Sequence, residues 1–273
     1  MQSYGNGGKY MSKFGLRKLG FGILLFGMAV CCYTASPVKA AETDVPIDNK
    51  TFPDATFLKY VGRFDKSGDG RLSESERNAV KEIVVNVDPF SSQTKITSLA
   101  GIEYFPNLTV LECESNSLAG LDVTKNKKLQ ELNCDKNNLQ SLDVSQNTEL
   151  IKLQCRYNQL PGLDLTKNTN LQKLWIYENQ ISSIDLSKNT ELVELACGNN
   201  PLTSLDVSQN TKLEGLHVYN TQVTALDLSN MTNLTTLACY NNNLTSLNIS
   251  GDTALKTLSC YQNRLTSSDG ETL

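Results

Sequence analysis

Three sets of residues have the types and spacing to do chemistry. The first is the run Asp65-Lys66-Ser67-Gly68-Asp69-Gly70-Arg71-Leu72-Ser73-Glu74-Ser75-Glu76. It fits a twelve-residue EF-hand loop. Asp65, Ser67 and Asp69 offer side-chain oxygens, Arg71 a backbone carbonyl and Glu76 a bidentate carboxylate, with Gly70 at the sharp turn. Ca2+ is the implied ion. Ser67 replaces the Asp or Asn of the pattern, and the three carboxylates left point to weak affinity, about 10⁻⁴ M. The competing expectation is a helical hairpin that seals the next segment and holds no ion. The second set is Cys113, Cys134, Cys155, Cys197, Cys239 and Cys260, all spaced by multiples of 21. The third is Trp175, Tyr177, His217, Tyr219, Tyr240 and Tyr261, with Arg156 just ahead, and it includes the chain's one Trp and one His.

The cysteine and aromatic spacings belong to a longer pattern. Leucine recurs at 108, 129, 150, 171, 192, 213, 234 and 255, and again three residues later from 111 to 258. Further apolar columns start at Leu118 and Leu121. The unit L-x-x-L-x-C-x-x-N-x-L-x-x-L-D-[VL]-[ST]-x-N-T-x is a leucine-rich repeat, one strand and one return arc per turn. Strands about 4.8 Å apart make eight repeats roughly 35–40 Å long.

This frame assigns each column a place. Around L-x-C, the Leu and Cys face inward and the alternate residues face the concave sheet. Ile176 and Val218 stand in the cysteine column, so the slot reads as one for small apolar filler. Disulfides between neighbouring turns and a metal site are the alternatives. Parallel strands orient Cβ vectors poorly for the first, and a linear column lacks the convergence for the second. The asparagines from Asn116 to Asn263 read as turn-bonding amides, with Thr221 in their column. The aspartates from Asp122 to Asp227 read as caps of the return arc.

On the concave face the first turns are acidic and the turns from Trp175 onward are aromatic. Trp175, Tyr177, His217, Tyr219, Tyr240, Tyr261 and Arg156 are the expected partner-binding residues, because rigid exposed aromatics form protein-binding hot spots. Catalysis is not expected. His217 faces outward and the cysteines inward, so no Cys–His pair forms within a repeat, and HExxH, GxSxG and phosphate-loop motifs are missing.

The chain has 273 residues, with 25 Lys+Arg and 29 Asp+Glu. Residues 1–40 hold five of the bases and no acid, so the remainder carries 20 against 29, a net of −9. That balance argues against nucleic acid or an anionic membrane as partner. Lys13, Arg17 and Lys18 precede the apolar run 19–30, and Val38-Lys39-Ala40 offers a cleavage site, so residues 1–40 read as a secretory signal. Phe14-Gly15-Leu16-Arg17-Lys18 with Gly22 resembles the YSIRK-type signal of Gram-positive surface proteins, although Gly15 and Leu25 stand where Ser is expected. The run 97–108, Thr-Ser-Leu-Ala-Gly-Ile-Glu-Tyr-Phe-Pro-Asn-Leu, and the helical cap before it resemble the internalins over about residues 50–265. That resemblance implies a right-handed, gently curved solenoid whose concave sheet binds another protein.

The expected architecture is an α/β solenoid, a right-handed leucine-rich repeat horseshoe of 21-residue repeats with a parallel concave sheet and a small helical cap. Residues 41–50 are expected as linker, 51–95 as EF-hand-like cap, 96–266 as repeats and 267–273 as a polar tail, with truncation of a longer chain the favoured reading of its end. The expected role is recognition of a host or other extracellular protein by a monomer, secreted or on the surface of a Gram-positive-type bacterium, touching membrane only through its export signal. A glycan-binding adhesin and a structural spacer of a wall-anchored protein are the rivals.

Overall fold

The structure, a computed structural model, describes residues 43–266. The expected signal in 1–40 and the tail 267–273 lie outside them. The chain opens with β1 (Val45–Pro46), α1 (Ala55–Val61), β2 (Arg71–Leu72), α2 (Glu74–Ala79) and β3 (Glu82–Val84). Ten further strands follow: β4 (Val110–Glu112), β5 (Glu131–Asn133), β6 (Lys152–Gln154), β7 (Lys173–Trp175), β8 (Glu194–Ala196), β9 (Gly215–His217), β10 (Ala225–Asp227), β11 (Thr236–Ala238), β12 (Ser246–Asn248) and β13 (Thr257–Ser259).

Nine strands, from β3 to β13 without β10 and β12, form one parallel sheet in chain order. The register is in phase: Leu111, Leu132, Leu153, Leu174, Leu195, Leu216, Leu237 and Leu258 are successive partners. A 21-residue period lets each leucine sit on its own kind in the next turn. The first seven are 0 or 1% exposed, and full burial of such a side chain is worth about 1.5–3 kcal/mol. In the last turns β10 and β12 pair as a second, two-stranded parallel sheet on the return arc.

The cap departs from the expected helical hairpin. Asp54 caps α1, accepting from the N–H groups of Thr56 at 2.9 Å and Phe57 at 3.0 Å. Its other oxygen accepts from the N–H of Thr97 at 2.8 Å, which ties the helix to the first turn. The second helix, α2, ends at Ala79, and 82–84 form β3 on the edge of the main sheet. Ile83, Val85 and Val87 are buried while Glu82, Val84 and Asn86 are exposed. That period of two belongs to a strand, and pairing with β4 satisfies its backbone. Within the expected linker, Val45–Pro46 pairs antiparallel with Arg71–Leu72. The long entry turn contains a 3-10 turn, Ile102–Tyr104, and Gly101 before it has φ 101° with the Phe52 ring where a Cβ would stand.

Candidate functional site

The concave face carries the predicted residues as the repeat frame requires. Trp175 and His217 end β7 and β9. Arg156, Tyr177, Tyr219, Tyr240 and Tyr261 stand two residues further along their turns. The structure gathers them into two groups separated by Ala196 and Gly198.

In the first group Arg156 is a bracket. Its main-chain N–H donates to Asp135 Oδ1 at 2.6 Å and its Nε to Asp135 Oδ2 at 2.6 Å, and the pair is also an ion pair. Nη1 donates to the Tyr177 hydroxyl at 2.9 Å. The guanidinium lies 5.0 Å from the Trp175 ring centroid and 5.2 Å from that of Tyr177, with Lys152 Nζ 5.8 Å from Trp175. Asp135 is fully buried. Burial pushes its carboxyl up, and Arg156 opposes that rise. Arg156 therefore positions the Trp175–Tyr177 ridge from within, using donors that a free arginine would offer to a partner.

In the second group Tyr219, Tyr240 and Tyr261 stack with centroids 4.9 and 4.7 Å apart and planes within 4°. The Tyr219 ring also presses on Gly198, where an added Cβ would meet Cδ2 and Cε2 at 2.9 Å. Only glycine leaves room there. The His217 ring lies over Gly215, with Nε2 3.8 Å from where a Cβ would be.

A neighbouring column escaped the sequence reading. Ser115, Lys136, Tyr157, Glu178, Asn199, Asn220, Asn241 and Gln262 all have φ between 50 and 62°. Each immediately precedes a ladder asparagine or Thr221 and swings the chain off the strand. Tyr157, 45% exposed, meets Tyr177 edge to face at 5.4 Å and extends the first aromatic group. Asn220 and Asn241 each donate to the preceding amide oxygen at 2.7 Å. Asparagine tolerates the left-handed conformation, so N-x at three successive turns was the available signal.

The inward columns are structural. Asn158 is typical: Oδ1 accepts from Leu139 N–H at 3.0 Å, and Nδ2 donates to the carbonyls of Cys134 and Cys155 at 3.1 Å. Asp122, Asp143, Asp164, Asp185, Asp206 and Asp227 each accept from the N–H two residues on. The six cysteines of the column are free thiols, all buried except the half-buried Cys260. Burial pushes the Cys197 and Cys239 thiols up to about 12.

In the cap loop, Asp65 accepts from the N–H groups of Gly68 at 2.6 Å and Gly70 at 2.9 Å. Asp69 accepts from Arg71 N–H at 2.9 Å. Glu76 accepts from the N–H groups of Lys66 at 2.7 Å, Ser67 at 3.0 Å and Ser73 at 2.8 Å. Against a burial effect that raises it, the hydrogen bonds from Ser73, then Ser67 and Lys66, bring the Glu76 carboxyl down to about 2. The carboxylates expected to converge on Ca2+ thus close the loop on its own amides. Among the described residues no three or more His, Cys, Asp or Glu side chains are arranged to hold a metal ion.

The leucine-rich repeat family model, two copies, matches residues 169–210. The functional domain of InlJ from Listeria monocytogenes, described as including a cysteine ladder, is 35% identical with a TM-score of 0.76, over 84% of this chain and 50% of that one. The chain thus spans half the length of that neighbour. Two other Listeria monocytogenes structures share the fold at 22% identity. They are internalin C2, with a TM-score of 0.66 over 82% of this chain and 99% of that one, and the internalin InlF, at 0.60 over 85% and 82%. Comparison with curated protein sequences found no match. The chain is a leucine-rich repeat protein. Its architecture is internalin-like, with Listeria internalins among its structural neighbours.

Proposed function

We propose that this protein is exported and recognises an extracellular partner protein through the aromatic half of its concave sheet, with Trp175, Tyr177, His217, Tyr219, Tyr240 and Tyr261 as contact residues. The observation that carries this reading is how the rings are used. Tyr240 is stacked on both faces, Tyr219 lies between Tyr240 and Gly198, and two cations sit by Trp175. A sugar recognised by aromatic stacking needs an open ring face. Ring edges and hydroxyls held rigid by neighbours suit a protein surface, where preorganised aromatics lose little entropy on binding. Burial raises the Cys113, Cys134, Cys155, Cys197 and Cys239 thiols away from nucleophilic reactivity, in keeping with a binding role.

The test is binding of the purified chain to host epithelial cells in the presence of soluble mono- and oligosaccharides. The expected result is unchanged binding in sugar and loss after protease treatment of the cells. Displacement by sugar, with binding surviving protease, would make the partner a glycan.

A further inference from the structure

A second asparagine column runs along the return arc, and it breaks near its end. Asn126, Asn147, Asn168, Asn189 and Asn210 are fully buried. Each Nδ2 donates to two carbonyls of the preceding turn. Asn147 donates to Val123 and Asn126 at 2.9 Å, and Asn210 to Leu186 at 3.1 Å and Asn189 at 2.9 Å. The next turn has Met231, and the last has Asp252. By register the counterpart carbonyls for Asp252 are those of Leu228 and Met231. Each accepts one backbone N–H, from Met231 at 2.9 Å and Leu234 at 3.0 Å, as Asn126 O does from Leu129 while also accepting the Asn147 amide. Both Asp252 carboxyl oxygens are shielded from solvent and have no hydrogen-bond partner.

A carboxylate has no proton to give to a carbonyl, whereas a carboxylic acid does. We propose that Asp252 is a pH-sensitive latch on the last turn: protonated, it donates to the preceding turn as the asparagines do, and ionised, it releases that turn and with it Tyr261. Burial alone raises the Asp252 carboxyl above the ordinary carboxylate range. The segments packed on it, 227–234 and 248–256, carry two other charged groups, Asp227 and Lys256, and neither is a cause of that rise. Asp227 is occupied by the Ser229 N–H at 3.1 Å and the Asn248 amide at 3.0 Å. A raised acid stabilises the fold fully below its unfolded value of 3.8, and loses that contribution as pH climbs through the higher folded value.

The test is amide hydrogen exchange on the full chain at about pH 4.5 and about pH 7.5, corrected for intrinsic rates. The reporters are Lys256 and Thr257, whose N–H groups donate to Thr235 O at 2.9 and 3.0 Å. Their protection is expected to fall several-fold at the higher pH, while Asp252→Asn keeps the acid-state protection at both. Protection independent of pH in the wild type, the same pH dependence in Asp252→Asn, or low protection in that variant at both values would overturn the latch. The readout concerns the fold of one turn and stands whether or not the concave face binds a protein.

Discussion

Asp135 and Arg156, one turn apart on the concave face, form a pair in which the carboxylate is fully buried and the guanidinium lies 5.0 and 5.2 Å from the ring centroids of Trp175 and Tyr177. The pair explains why an arginine in the exposed column belongs to the scaffold of the surface. Arg156→Ala strands a buried carboxylate, and the expected loss is about 3 kcal/mol of stability. Denaturant unfolding checks it. Asp135→Asn/Arg156→Ala should lose less than Arg156→Ala alone, because the stranded charge is gone.

The left-handed column predicts a gain. Glu178 holds φ 58°, which suits asparagine better. Glu178→Asn also places an amide before the Asn199–Asn220–Asn241 ladder. Expected stabilisation is about 1 kcal/mol, read as a rise in the urea midpoint at constant slope.

The thiol column predicts selective reactivity. In the native chain at pH 8, Cys113, Cys134, Cys155, Cys197 and Cys239 should resist alkylation, with Cys260 modified first, as site-resolved mass spectrometry would show. Their burial and raised thiols are the cause. Rapid native labelling of Cys155 would contradict the packed column.

The cap predicts both a pH dependence and an indifference to calcium. Glu76 is lowered in the fold, so its contribution is complete above its unfolded value of 4.5 and is lost as pH falls towards about 2. Glu76→Gln should cost about 1 kcal/mol, because the amide keeps one acceptor oxygen where the carboxylate uses two to accept from Lys66, Ser67 and Ser73. EDTA or millimolar calcium should leave Tm unchanged in both chains. A saturable rise with calcium, lost in Glu76→Gln, would mean that the carboxylates leave their amide donors for an ion.

Much of this was legible in the sequence for a physical reason. Repetition at 21 residues stacks like on like, so register, inward leucines and the face of Trp175 follow from spacing. Asp135 and Arg156 are also one period apart, and their pairing could have been read from the column. Strand β3 precedes the leucine pattern, so its two-residue alternation from Ile83 to Val87 had no repeat to mark it. The left-handed column hides because tertiary geometry imposes that φ on Ser, Lys, Tyr, Glu and Gln alike. In the cap loop the carboxylates stand where the pattern puts them, but spacing alone did not reveal that they accept from the loop's own amides.

The most direct test of the central claim compares cell binding by the purified chain and by Trp175→Ala/Tyr219→Ala, with circular dichroism confirming that both are folded. The account predicts at least a tenfold weaker affinity for the double variant, about 1.4 kcal/mol or more. Equal binding by a folded double variant would contradict recognition through the aromatic face and move the interface to the acidic first turns or the cap.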